Sequence, residues 1–365
     1  MEHRFSSKNL SDVNQPGYTK CNEWFLAGRH VPLPRHLIIE ITSFCNLRCR
    51  MCPKTNHSVN TAENNVMSWD IFERLIPLLP HIESLDLTGV WGEAFLHPQL
   101  YMDMLKTIKQ HGSDVYTISN GTLITDDLAR QLVELELNKL IISLDAATPE
   151  TYAAIRPPGR FEDVLNGLKS ISTWKKKLGR TQPRLELAFV GMKSNIEEFP
   201  RVVQLAHELG VAQVCLQAMG EYPGLENESI AAHHKPLGRR LFEEGQCRGQ
   251  ELGVEVVLQP SDQFEEDRKE QNILEDRRGY RKQCYDLWNK ALVAATGNVC
   301  RAVRLRSPWA ICGILLSNRY GAVRRSPSFG GSSSAGKFLK CAGSAPERHG
   351  RRSPCAGIFN SFSAI

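Results

Sequence analysis

The 365-residue sequence contains no apolar run approaching the roughly eighteen residues that a membrane-spanning helix needs. Its opening, Met1-Glu2-His3-Arg4-Phe5, lacks the apolar stretch of a secretory leader. These absences predict a cytoplasmic protein with no membrane partner. A paired set of zinc ligands is also missing, since the first His after the early cysteines, His57, is followed by no second ligand at zinc-finger spacing. Acidic residues are nearly absent from one region: positions 301–365 hold eleven Lys or Arg against the single acid Glu347. That segment carries +10 and the rest of the chain −5, so the overall +5 comes from the tail. Eleven cysteines could suggest disulfides in a short secreted chain, but here three cluster in one loop and the others are scattered. A reducing compartment and a metal account for them more simply.

The clustered three are Cys45, Cys49 and Cys52, in Ile41-Thr-Ser-Phe-Cys-Asn-Leu-Arg-Cys-Arg-Met-Cys-Pro53. A [4Fe-4S] cubane normally takes one Cys sulfur per iron, so a loop offering three leaves one iron open to a ligand that is not protein. The alternatives are a structural zinc knuckle or three unconnected thiols, and the missing second pair of ligands weighs against zinc. An open iron points to chemistry rather than scaffolding.

This C-x3-C-x2-C run, placed just after the apolar Leu37-Ile-Ile-Glu-Ile41, resembles the signature of the radical S-adenosylmethionine (radical SAM) superfamily. The resemblance implies a [4Fe-4S] cluster whose open iron chelates the amino and carboxylate groups of S-adenosylmethionine. It further implies reductive cleavage of a carbon-sulfur bond, giving a 5'-deoxyadenosyl radical that removes a substrate hydrogen. Three more stretches fit in the order the family would place them. Thr88-Gly-Val-Trp-Gly-Glu-Ala-Phe-Leu-His-Pro98 is similar to the Gly-Glu segment, which assigns Gly92 and Glu93 to the methionyl amino group. The usual Gly-Gly-Glu-Pro is replaced by Trp91-Gly92-Glu93-Ala94, so the turn differs while the acid is kept. Ser119-Asn120-Gly121-Thr122 resembles the Thr-Asn-Gly strand end, and Ser143-Leu144-Asp145-Ala146 the Ser-Leu-Asp-Gly. The resemblance turns Ser119, Asn120, Ser143 and Asp145 toward the ribose and carboxylate, and puts Met51 near the adenine. Taken singly, Asn120-Gly121 reads as a tight turn, Asp145 as a helix cap, and Met51 as a filler of apolar space.

Short β-branched and Leu-rich runs at 37–41, 84–88, 115–119, 139–144, 184–190 and 213–217 predict six strands. Amphipathic stretches separate them: Phe72, Leu75, Ile76 and Leu79 share one helical face, as do Phe199, Val202, Val203, Ala206 and Leu209. Asn195 with Glu198 three residues on reads as a capping box. Strands spaced by helices imply parallel pairing with right-handed crossovers, here a partial (β/α)6 TIM-like barrel of the α/β class. All the matched motifs fall at strand C-terminal ends, the rim where such barrels build their sites. The expected organisation is an N-terminal extension over 1–34, the barrel over 35–220, a helical linker over 221–283, and a second module from 284.

That module starts with a second resemblance. Cys284 to Cys300 is similar to the opening of a SPASM domain, a C-terminal module that binds auxiliary Fe-S clusters in many radical SAM maturases and dehydrogenases. Cys284 and Cys300 are thus candidate ligands of an auxiliary cluster. The pattern then fails, because the Gly-x4-Cys turn counted from Gly297 falls on Ala302, and Cys312, Cys341 and Cys355 stand far apart. The module is therefore expected to be truncated. The Ser-, Gly- and Arg-rich segment 301–365 reads either as a disordered basic arm for nucleic acid or an acidic partner, or as a frameshifted translation. The genetic code favours the frameshift. One base restored after the codon of Cys300 turns Cys300-Arg-Ala-Val-Arg-Leu305 into Cys-Pro-Cys-Cys-Ala-Pro, which supplies a cysteine at position 302.

The function expected is that of a radical SAM oxidoreductase or maturase acting on a peptide, with a sugar or small alcohol as the other substrate class and a flavodoxin- or ferredoxin-type electron donor. A defective product that binds nucleic acid through its tail is the reading of a different kind, and nucleic acid is not the expected partner. No residue of the chain singles itself out as a general base.

Overall fold

Runs rich in Val, Ile and Leu alternate with longer amphipathic stretches, and each folds according to its period. The computed structural model describes residues 33–55, 65–219, 224–260, 263–264, 290–301, 314–316 and 323–325. Besides a separate antiparallel pair, Ile314–Leu316 with Val323–Arg325, its strands are β1 (His36–Glu40), β2 (Ser84–Thr88), β3 (Asp114–Ser119), β4 (Lys139–Ser143), β5 (Arg184–Gly191), β6 (Gln213–Ala218), β7 (Glu255–Gln259), β8 (Lys290–Val293) and β9 (Val299–Arg301). They form one sheet in the order β7-β6-β5-β4-β3-β2-β1-β8-β9, with β7 and β9 at its edges, so it does not close on itself. Strands β1 to β8 run parallel and β9 pairs antiparallel with β8. The helices are α1 (Trp69–Glu73), α2 (Pro98–Gln110), α3 (Asp126–Glu134), α4 (Pro149–Ile155), α5 (Phe161–Leu178), α6 (Phe199–Glu208), α7 (Ile230–His233) and α8 (Lys235–Leu252). No helix among the described residues is long and apolar enough to cross a membrane.

Alternation along the strands divides the sheet into two unlike faces. Leu37, Ile39, Leu85, Leu87, Val115, Leu140, Ile142, Leu185, Leu187, Phe189, Val214 and Leu216 are buried in one continuous core with the helices. The residues between them, including Glu40, Asp86, Thr88, Tyr116, Lys139, Ser143, Glu186, Cys215 and Gln217, point to the opposite, largely polar face. A parallel sheet is ordinarily apolar on both sides. This polar face, opening at the strand C-terminal ends, is where a site can be built.

The sheet is wider than six strands. The stretch expected as a helical linker does contain α7 and α8, but it also contributes β7, which pairs with β6 from Gln213↔Glu255 onward. The stretch expected to open a separate module contributes β8, which lies on the free side of β1 and covers what would otherwise be an exposed edge. Four-residue Lys290-Ala-Leu-Val293 carries too weak a strand signal to be read alone. Residues 72–79 fold as the short helix α1 and then a 3-10 turn at Ile76–His81, because Pro77 and Pro80 cannot continue an α-helix. The capping box does not form: the Asn195 side chain makes no cap bond. Instead Asn195 Nδ2 donates to the carbonyls of Asp145 and Val190, and Glu198 reaches across to α4, accepting from the amides of Ala147 and Thr148 and the hydroxyls of Thr148 and Thr151. Both residues tie the end of β4 to the end of β5.

Candidate functional site

The loop leaving β1 carries the three cysteines, and backbone bonds fix it on two sides. Ser43 and Asn65 exchange bonds through the Ser43 amide and hydroxyl, and Lys54 Nζ donates to the Ser43 carbonyl. Farther along, the amides of Arg48 and Arg50 donate to the carbonyls of Pro157 and Ile155 at 2.6 and 2.9 Å. A turn in which the Cys52 amide donates to the Cys49 carbonyl at 3.1 Å closes the loop. Cys45, Cys49 and Cys52 are all part-exposed.

Gly92 allows the next element to dock on this loop. A Cβ there would fall closer than 3.0 Å to the carbonyl oxygens of Thr42 and Phe44, so only glycine fits the approach. The following amide, of Glu93, donates to the Phe44 carbonyl at 2.7 Å. The Glu93 side chain is buried; its Oε1 accepts from Ser119 Oγ at 2.8 Å and the Phe95 amide at 3.2 Å, and its Oε2 from the Asn120 amide at 2.7 Å. Burial pushes its carboxyl upward, opposed by these bonds and by the Arg156 charge. Asn120 Nδ2 donates to Asn46 Oδ1 at 2.9 Å, and Asn46 Nδ2 to Thr122 Oγ1 at 2.9 Å. Gly92, Glu93, Ser119 and Asn120 thus form one hydrogen-bonded unit with the Cys45 side of the loop.

A second unit holds the Cys49 side. Asp145 is wholly buried, with Oδ2 accepting from Arg156 Nε at 2.5 Å and Oδ1 from the Val190 amide at 2.7 Å. So enclosed, its carboxylate acts on Arg156 and on β5. Arg156 Nη1 lies 3.6 Å from Cys49 Sγ. Met51 is buried with Ile155, Met192 and Met219 in a small apolar cluster that Cys49 borders. Ser143 is half-buried at the end of β4 on the polar face. Cys284 lies outside the described residues, and Cys300 is placed only by its backbone, paired with Leu292 in the β8–β9 hairpin.

Motif reading missed Arg156, Asn46 and Thr122. Arg156 follows α4 with no recognisable pattern around it, and Asn46 and Thr122 are ordinary polar residues until the fold brings β1 and β3 ends together. The only signal for the latter two was position, Asn46 standing one residue from Cys45 and Thr122 two from Asn120.

The donor set suits an iron-sulfur cluster. Cys45 Sγ accepts from the Leu47 amide at 3.4 Å and Cys49 Sγ from the Arg156 guanidinium, both donors that favour anionic sulfur. Burial pushes the Cys49 thiol up to about 11, with Arg156 pulling the other way, and raises Cys45 also. Without a metal these thiols stay protonated near neutrality, and loading one releases their protons. Among the described residues no three His, Cys, Asp or Glu converge tightly enough for a single ion. A cubane is broader than an ion and takes its ligands farther apart.

Residues 39–174 match the Radical SAM superfamily. The chain is 27% identical over 180 residues to the tungsten-containing aldehyde ferredoxin oxidoreductase cofactor-modifying protein of Pyrococcus furiosus, covering 48% of this chain and 49% of that protein. It is 27% identical over 179 residues to a probable GTP 3',8-cyclase of Methanocaldococcus jannaschii, covering 48% and 56%. The chain thus spans about half the length of the curated relatives it matches. In fold it is similar to Streptococcus suis SuiB bound to S-adenosylmethionine, with a TM-score of 0.58 and 16% identity over 85% of this chain and 67% of that one. It is also similar to anSMEcpe with bound AdoMet and a peptide, at 0.52 and 16% over 74% of each. The chain carries a radical SAM domain, the mark of an enzyme superfamily whose members bind a [4Fe-4S] cluster and S-adenosylmethionine.

Proposed function

We propose that this chain holds a [4Fe-4S] cluster on Cys45, Cys49 and Cys52 and uses it to cleave S-adenosylmethionine reductively, in the service of hydrogen abstraction from a peptide substrate. The observation that carries the reading is the convergence of the three-cysteine loop with Gly92, Glu93, Ser119 and Asn120 at the C-terminal rim of one parallel sheet. When bound, the cluster supplies the electron that breaks the carbon-sulfur bond. The chain's own residues do the holding. Oε2 of Glu93 accepts a single protein bond and keeps capacity for one more donor, which suits an ammonium group. The polar face below the rim, with Ser143, Cys215 and Gln217, offers the substrate a sheltered approach. Hydrogen abstraction by a primary radical needs such shelter from water. A low-potential donor of the flavodoxin or ferredoxin type would provide the electron.

A peptide is favoured because SuiB bound to precursor peptide SuiA and anSMEcpe with a bound peptide share this fold. The resemblance of Cys284 to Cys300 to the opening of a SPASM module supports that class. Reconstitution with iron and sulfide without oxygen, followed by dithionite and S-adenosylmethionine, is expected to give 5'-deoxyadenosine and about four irons per chain, one cubane. Cys45→Ala should abolish both. A loaded cluster that yields no 5'-deoxyadenosine would overturn the reading. The one-base deletion at codon 301 is part of the same proposal. Restoring the frame should raise iron to about eight or more per chain, and an intact genomic frame would remove it.

A further inference from the structure

Arg156 has a place in this site that no motif assigns. It follows α4, its side chain is turned inward, and it is among the few buried cations of the described residues. Two backbone bonds, from the Arg48 amide to the Pro157 carbonyl and from the Arg50 amide to the Ile155 carbonyl, bracket Cys49 and Arg156 and set them opposite each other. The guanidinium is a rigid planar fork. One arm, Nε, is fixed on Asp145 Oδ2 at 2.5 Å, which directs Nη1 to the Cys49 sulfur at 3.6 Å. Asp145 cannot swing away, since the Val190 amide holds its other oxygen and Asn195 holds its carbonyl. A buried positive charge has therefore been placed on one particular cysteine of three.

We propose that Arg156 is a positioning residue that raises the reduction potential of the cluster held by Cys45, Cys49 and Cys52, with Asp145 as the counter-charge that aims it. Three thiolates give the bound cluster a net negative charge, and one electron from an external one-electron reductant makes it more negative with no proton taken up. A fixed cation and an N–H donor on a ligand sulfur stabilise that added charge, and hydrogen bonds to sulfur are among the means by which proteins set such potentials. Low local dielectric strengthens the effect. Asp145 works in the opposite sense: its charge is felt at Cys49 against that of Arg156, while its hydrogen bond aims the guanidinium.

The inference rests on the proposed function, and its test separates the two. The full chain, its R156M, R156K and D145N variants are reconstituted without oxygen, their iron counted, and the cluster midpoint read by electron paramagnetic resonance during redox titration. R156M is expected to shift the midpoint negative by about tenfold in the reduction equilibrium, about 59 mV for a one-electron couple. R156K keeps the charge and should shift less, while D145N should shift the midpoint positive. An Arg156 that only supports the fold would lower iron content without opposite-signed shifts. Equal midpoints in loaded wild type and R156M, or shifts of one sign in R156M and D145N, would overturn the inference. Should R156M hold no iron, the direction of the D145N shift decides. A wild-type chain that takes up no cluster would sink the proposed function instead.

Discussion

The same eight parallel strands carry polar groups at both ends, and the two ends hold them differently. At the C-terminal rim, Glu93 and Asp145 are buried and accept from backbone amides of Phe95, Asn120 and Val190 as well as from side chains. At the N-terminal floor, carboxylates meet long side chains: Glu186 pairs with Lys139 at 3.1 Å and Arg184 at 2.8 Å, and Glu255 with Arg184 at 2.9 Å. The side chains of Arg184 and Glu255 are 44% and 57% exposed, whereas that of Asp145 is 0%. A carboxylate held by backbone cannot move without the strand moving, while a floor ion pair can exchange partners with water. Rigid placement is what a site needs, and looser pairs suffice to finish a barrel floor.

The sharpest way to break this contrast is at Gly92. Its replacement, Gly92→Ala, drives a methyl against the carbonyls of Thr42 and Phe44, backbone atoms that cannot rotate aside. The expected cost is about 3 kcal/mol, the upper part of the overpacking range, with loss of iron retention because the cysteine loop is displaced. Urea unfolding and iron counting after gel filtration check both. Glu93→Gln comes next. The amide keeps the shape but must set its NH2 against either the Asn120 amide or the Ser119 and Phe95 donors. Leaving one buried donor unmet costs about 1–3 kcal/mol, and an unchanged unfolding midpoint would show that the rim is less rigid than the contrast requires.

The contrast also explains how much could be read in advance. The cysteine spacing, Gly92-Glu93, Ser119-Asn120 and the six central strands are local patterns, each contained within a dozen residues, and they were legible. Arg156, Asn46 and Glu198 act across 107, 74 and 47 or more positions, and nothing near them in sequence announces their partners. Asn195-x-x-Glu198 shows the limit of local reading, for its spacing fits a capping box while both side chains serve the β4 end instead. Strands β7 and β8 escaped because their pairing with β6 and β1 is decided by the sheet's need for partners, not by their own short runs.

Glu198 sharpens the comparison from the side, since it is a half-buried carboxylate held in rim fashion. Burial works to raise its carboxyl, but bonds from Thr151, Ala147 and Thr148 outweigh it and hold the group below its ordinary 4.5. A depressed folded value means that its stabilisation is complete above about pH 4.5 and is lost as pH falls through the folded value. Glu198→Gln should therefore cost about 1–2 kcal/mol at neutral pH and progressively less below pH 4.5. Paired urea titrations at the two pH values test this. A deficit independent of pH would mean that the shape of the side chain matters and its charge does not.

The smallest effect belongs to the floor. Arg184→Ala removes both of its ion pairs at once, with Glu186 and with Glu255, yet Lys139 remains beside Glu186 and water reaches Glu255. The Glu255 pair is exposed, and pairs of that kind contribute about 0–1 kcal/mol and are screened by salt, while the buried Glu186 keeps its Lys139 partner. The expected loss is under about 1 kcal/mol, diminishing further at high ionic strength, with iron uptake and 5'-deoxyadenosine formation unchanged. A loss as large as that of Glu93→Gln would mean that the floor is as rigidly built as the rim, and the polar face would then be better described as one continuous constructed surface running from Glu255 to Glu93.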